Sequence, residues 1–182
     1  MADPFWGRFF NRQQEKKETL FEVLQRIPIF QDFTRREFAK IEDILHHRSF
    51  AVEEAIVREG EKGVGMYIIL TGQVQILHTG DQGQPIRLAT LGPGDFFGEQ
   101  ALLDESPRTA SAVAVEPCQA IGFFRPDMLE LIDRNPRMGL KVIMRLSQMI
   151  SVRLRQTNRL LKEAREKTAA AERQLKAQQE AS

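Results

Sequence analysis

The sequence predicts an α+β protein. It reads as a jelly-roll-like β-roll of short antiparallel strands, flanked by N-terminal helices and a long C-terminal coiled-coil helix. Three observations predict this. Apolar residues recur at helical spacing as far as His47. From Ser49 the runs shorten, alternate and are separated by Gly and Pro turns, the mark of a sandwich or barrel. From about Pro136 a helical pattern runs on with no further proline and only Gly139 as a glycine. The chain has 182 residues, which suits one domain with helical extensions. The expected divisions are an amphipathic aromatic helix over 1–15, a central domain over 16–135 and the long helix over 136–182.

Phe5, Trp6, Phe9 and Phe10 recur at i, i+1, i+4 and i+5, so one helical face carries all four aromatics. Leu20, Phe21, Val23, Leu24 and Ile27 make a second apolar face, stopped by Pro28. Thr34 followed by Glu37 reads as a capping box, after which Phe38, Ile41, Ile44 and Leu45 face inward. Strands are expected at Phe50–Val52, Ala55–Arg58, Met66–Leu70, Val74–His78, Arg87–Leu91, Thr109–Val115 and Cys118–Phe123. The stretch Gly98–Asp104 breaks this rhythm and reads as a short helix. Pro126 suits the first turn of a further helix, Asp127 to about Arg134. In the last helix, Ile143, Ser147, Ile150, Leu154, Thr157, Leu161, Ala164, Thr168, Ala171, Leu175 and Gln178 are spaced alternately by four and three. That is a heptad seam, and it predicts a parallel homodimeric coiled coil, strongest through Leu161.

Composition narrows the function. There are 26 Lys and Arg against 25 Asp and Glu, so bulk charge draws the chain to neither nucleic acid nor anionic lipid. The distribution is uneven: residues 51–136 hold six basic and thirteen acidic side chains, and residues 137–182 hold eleven basic and four acidic. An arginine inside the acidic middle needs a partner or a ligand. The single cysteine, Cys118, excludes an internal disulfide and a multi-cysteine metal site, and reads as a buried apolar residue. His46, His47 and His78 lack neighbouring ligands, so no metal is expected. No Ser/His/Asp or carboxylate arrangement is spaced for catalysis, so the chain is expected not to be an enzyme. No apolar run reaches the length of a membrane span and no signal sequence opens the chain, so a cytoplasmic location is expected.

One stretch carries chemistry: Gly92-Pro-Gly-Asp-Phe-Phe-Gly-Glu-Gln-Ala-Leu-Leu-Asp-Glu-Ser-Pro-Arg-Thr-Ala110. Gly98 permits close backbone approach, and Glu99 opens a short helix whose free N–H groups favour an anion. Arg108 adds a planar donor fork suited to phosphate, and Thr109 a hydroxyl beside it. Glu99 is a poor neighbour for phosphate but a good acceptor for a sugar hydroxyl. An anion cradle and a hydroxyl acceptor in one loop suit a sugar phosphate.

These residues resemble the phosphate-binding cassette of the cyclic nucleotide-binding domain family, which includes catabolite activator proteins, cyclic nucleotide-gated channels and kinase regulatory subunits. Phe97-Gly98-Glu99-Gln100-Ala101-Leu102-Leu103 and Pro107-Arg108-Thr109-Ala110 carry the likeness. The turns Arg58-Glu59-Gly60-Glu61, Thr71-Gly72 and Gly92-Pro93-Gly94-Asp95 extend it over roughly residues 20–160. The resemblance implies that Arg108 and Thr109 take the cyclic phosphate, that amides near Gly98 and Ala101 complete the cradle, and that Glu99 accepts from the ribose 2′-hydroxyl. Some members have lost the Arg or the Glu; both are present here. In the catabolite-activator branch a Thr-Ser pair on the long helix reaches the adenine amino group, and Thr157-Asn158 falls at that place. Thr matches and Asn departs, though Asn also accepts from an amine. Thr109 beside the arginine also occurs in cyclic GMP receptors, so cyclic AMP is favoured with cyclic GMP as the alternative.

The resemblance implies a non-enzymatic receptor that rearranges its C-terminal helices toward an effector protein. A nucleotide-free scaffold, assembled through the coiled coil, is the competing reading. In transcription factors of this family a helix-turn-helix follows the long helix; no such pattern follows here, so sequence-specific DNA binding is not expected. The face of Phe5, Trp6, Phe9 and Phe10 reads as packing on the chain itself, as a partner anchor or as peripheral contact with a membrane.

Overall fold

Thr19 opens the first described helix, α1 (Leu20–Gln25), in a computed structural model that describes residues 19–180 and, on the long helix, side chains as far as residue 169. The expected aromatic helix over 1–15, with Phe5, Trp6, Phe9 and Phe10, lies outside the described residues. Thr19 and Glu22 form a capping box, the Glu22 carboxylate accepting from the Thr19 N–H at 2.8 Å. The expected box of Thr34 and Glu37 caps α2 (Arg35–Ile41) in the same way. Between them the chain winds through tight turns in which Phe30 N–H donates to Ile27 O and Phe33 N–H to Phe30 O. Residues three apart eclipse in such turns. Leu24, Ile27, Phe30 and Phe33 therefore enter the core as one column, each at most 2% exposed.

After a 3-10 turn at Glu42–Ile44 come eight strands: β1 (His46–Phe50), β2 (Ala55–Val57), β3 (Gly65–Thr71), β4 (Val74–Thr79), β5 (Pro85–Leu91), β6 (Phe96–Phe97), β7 (Ser111–Ala114) and β8 (Cys118–Phe124). They form two antiparallel four-stranded sheets, ordered β1-β8-β3-β6 and β2-β7-β4-β5. This is the β-roll that the sequence predicts. The first strand is displaced from its expected place, Phe50–Val52. Pairing with β8 runs from His46↔Gly122 to Phe50↔Cys118 and ends there. Ala51 then enters a turn, its N–H held by the Glu54 carboxylate at 2.7 Å, with Glu53 at a positive φ of 66°. β6 was not expected; two residues carry no period, and only pairing with Tyr67 and Ile68 makes them a strand.

Helix α3 (Arg125–Arg134) carries Pro126 in its first turn, as expected. The chain reverses at Asn135, whose carbonyl accepts from the N–H groups of Met138 and Gly139. Helix α4 (Pro136–Glu180) then leaves the domain. A Cβ on Gly139 would lie 2.5 Å from Ile132 Cγ1, so glycine is what lets α4 cross α3 closely. Met138, Val142, Leu146 and Met149 of α4 are buried with α3, the N-terminal helices and Phe123 in one core. This face is not the heptad seam. Along the seam Ile143 and Ile150 are half-buried, whereas Ser147, Leu154, Thr157, Leu161, Ala164 and Thr168 are exposed. The side chains of Ala171, Leu175 and Gln178 lie outside the described residues.

Charge reinforces this packing. Lys141 of α4 donates to Glu37 at 2.6 Å, and Arg145 pairs with Asp32 at 2.5 Å. The Lys141 bond, with the Thr34 N–H, holds the Glu37 carboxyl at about 2 instead of its ordinary 4.5. The folded value lies below the unfolded one. The stabilisation is therefore complete above the ordinary value and is lost as pH falls toward the folded one. Thermal melts across that acid window should show Tm falling more steeply for wild type than for Lys141→Met.

Candidate functional site

Gly98 stands in the left-handed region at φ 77°, between β6 and a 3-10 helix at Glu99–Leu102. A Cβ there would collide with Arg108 Nη1 and lie 3.1 Å from the Gly65 carbonyl. Glycine is needed both for the backbone angle and for the room that the guanidinium takes. Arg108 Nη1 donates to the Gly98 carbonyl at 3.3 Å, and Nη2 to the Gly65 carbonyl at 2.7 Å. Nε is buried and has no partner among the described residues. Burial pulls the Arg108 pKa below the ordinary arginine value, with Tyr67 and Glu99 opposing. A guanidinium stays protonated under such a shift.

These residues border a cavity of about 270 Å³ in the roll. Gly98, Glu99, Gln100 and Ala101 line it on one side, and Arg108, Thr109 and Ala110 on another. Val57, Ile76 and Leu91 supply apolar wall from the sheet of β2, β4 and β5. Cations and carboxylates thus share one apolar cavity, the composition of a site for a small polar ligand. Leu102, the last residue of the 3-10 helix, is not part of the lining; it is fully buried in the core. The Ala101 N–H, expected to face an anion, donates to the Gly98 carbonyl at 3.1 Å.

Glu99 is 2% exposed, and Arg153 of α4 reaches it at 2.5 Å. The Arg153 guanidinium also lies over the Phe96 ring at 5.1 Å, a cation–π contact. Sequence reading missed Arg153. The available signal was its place one helical turn before Thr157, on the face expected to approach the ligand. Thr157 and Asn158 are exposed on α4 and do not line the cavity of the single chain. Cys118 is buried in β8, and burial pushes its thiol pKa up. His46 and His78 pair with Asp127 and Glu59 at 3.0 and 2.8 Å. Among the described residues no helix is long and apolar enough to cross a membrane.

A two-sheet antiparallel roll, with a half-buried guanidinium and a buried carboxylate facing one small cavity, defines a ligand-binding β-roll domain. The match to known proteins makes this particular. Residues 47–135 match the model of the cyclic nucleotide-binding domain, and this stretch is a domain of that family. It is 36% identical over 131 residues to the cyclic AMP receptor protein of Thermus thermophilus, covering 72% of this chain and 59% of that protein. The cGMP-dependent protein kinase egl-4 of Caenorhabditis elegans is 34% identical over 104 residues, which are 57% of this chain and 13% of the kinase. A crystal structure of a cyclic nucleotide-binding domain from Methylobacillus flagellatus superposes with a TM-score of 0.69 at 28% identity, covering 79% of this chain and 81% of that one. The chain thus spans less than two thirds of the length of each of these two relatives.

Proposed function

We propose that this chain is a non-enzymatic cyclic nucleotide receptor that prefers cyclic AMP to cyclic GMP and signals through α4 to an effector protein. The observation that carries the reading is Arg108, whose buried Nε has no partner among the described residues and lies beside a cavity that also holds Glu99. A cyclic phosphate there accepts from Arg108 and the Thr109 hydroxyl, with Gly98, Gln100 and Ala101 at its edge. Glu99 accepts from the ribose 2′-hydroxyl, the one hydroxyl left free on the sugar. The preference for adenine rests on Thr157 and Asn158, which would meet the base as α4 closes over the cavity.

Signalling follows from the pairing of Glu99 with Arg153. A ribose hydroxyl that donates to Glu99 competes with the guanidinium, so ligand binding changes the hold on α4 at its point of exit. Two copies joined along Ile150, Leu154 and Leu161 would pass that change to the surface of a homodimer. The cytoplasm, with the effector as a soluble or membrane-bound protein, is the proposed place of action.

Titration calorimetry of nucleotide-stripped protein with cyclic AMP, then cyclic GMP, tests the reading. One site per chain, with cyclic AMP bound at least about tenfold more tightly, is the expected result. Binding of neither nucleotide would leave a scaffold in which Arg108 serves only the Gly65 and Gly98 carbonyls.

A further inference from the structure

Arg108, Thr109 and Ala110 line the cavity, yet none of them belongs to a strand. Their backbone is placed by a neighbouring turn. Gly60 N–H donates to the Arg108 carbonyl at 2.9 Å, and Arg108 N–H donates to the Glu61 carbonyl at 2.8 Å. A lone bridge joins Lys62 to Pro107 just beyond. The turn is in turn fastened by Glu59. Its N–H donates to Ser111 Oγ, at the start of β7, at 2.9 Å. Its Oε2 accepts from the Thr79 N–H, at the end of β4, at 2.8 Å. Its Oε1 lies 2.8 Å from His78 Nδ1.

We infer that Glu59 is a positioning residue for Arg108: by tying its turn to β4 and β7, it sets the station of the guanidinium at the cyclic phosphate. The inference rests on the receptor reading above. The causal order runs through backbone. The carboxylate closes the Thr79 amide, which stands at a strand end with no further ladder on that strand. Without that acceptor the turn loses its side-chain tie to β4 and keeps the Glu59 N–H contact to Ser111, the Lys62–Pro107 bridge and the two backbone bonds to Arg108, which then move with it. The carboxyl suits the role because the Thr79 N–H, helped by His78, holds its pKa below the ordinary carboxylate range. It accepts as an anion at neutral pH.

The test uses the full chain and three probes: cyclic AMP and its two diastereomeric phosphorothioates, in which sulfur replaces one exocyclic phosphate oxygen. The ratio of their affinities reads the contact at the phosphate and is insensitive to a general loss of stability. Glu59→Ala is expected to bind cyclic AMP about tenfold more weakly and to lose much of the discrimination between oxygen and sulfur. Glu59→Gln keeps an acceptor for Thr79 and is expected to stay within about twofold of wild type. Ser111→Ala frees the other end of the anchor with a milder change, and it is expected to move both quantities in the same direction. Wild-type affinity and discrimination in Glu59→Ala and Ser111→Ala, with only Tm reduced, would overturn the inference alone. Failure of the wild type to bind any of the three probes would overturn the receptor reading and this inference with it.

Discussion

Arg108→Leu is expected to abolish cyclic nucleotide binding in a protein that still folds. The guanidinium is the cation that the site presents directly to phosphate, and each charge-assisted hydrogen bond it makes contributes about 1.5–3 kcal/mol. Loss of two such bonds weakens affinity by at least about a hundredfold. Leucine also gives up the bonds to the Gly65 and Gly98 carbonyls. Gly98 borders the cavity, where water can replace the donor, whereas Gly65 is buried in β3 and its carbonyl is left without one, so Tm should also fall measurably. Arg108→Lys is the informative companion. It keeps the charge but not the planar fork, and should fall between leucine and wild type. Calorimetry and thermal unfolding on the same preparations separate the two effects. Wild-type affinity in Arg108→Leu would remove the proposed site.

Leu146→Ala is expected to produce the largest loss of stability. Leu146 is fully buried in the core that α4 shares with α3 and the N-terminal helices. Truncating such a residue costs about 2–5 kcal/mol, through lost transfer energy and the cavity left behind. Denaturant unfolding should show it as a lower midpoint at unchanged slope. Arg153 lies two helical turns further along α4, so loosening this seat also loosens its hold on Glu99. Leu154→Ala is the contrasting variant. Leu154 is 58% exposed, so its removal should change the unfolding free energy of a monomer by less than about 0.5 kcal/mol. Its effect is expected instead in the concentration dependence of dimerisation, measured by sedimentation. A large loss of monomer stability in Leu154→Ala, with no change in self-association, would place that face against the chain's own core.

These two leucines mark how far the sequence could be read. Helix α4 carries two apolar faces. The heptad seam of Ile150, Leu154 and Leu161 was legible as a period, and so was the length of the helix. The face of Met138, Val142, Leu146 and Met149, which seats α4 on its own domain, was not distinguished from it. Periodicity reports that a face is apolar; which surface covers it depends on the approach of α3 and the column from Leu24 to Phe33. The same limit explains Arg153. Its place one turn before Thr157 puts it on the face expected to approach the ligand, but its pairing appears only when Glu99, 54 residues earlier, is brought beside it.

The sequence by itself determined what is encoded at short range. The capping box of Thr34 and Glu37, Pro126 at the start of α3, the β-rich centre and the loop from Gly98 to Thr109 all rest on residues close enough to constrain one another's backbone. Tertiary structure decided the rest. It moved the first strand to His46–Phe50, because β8 offers partners there and a turn ends the ladder at Ala51. It made Phe96–Phe97 a strand through Tyr67 and Ile68. It sent Leu102 into the core, joined Arg153 to Glu99, and hung the backbone of Arg108 on the turn that Glu59 anchors. Each of these depends on hydrogen bonds and contacts between distant segments, whose partners are chosen by the packing of the whole roll and not by neighbours in the chain.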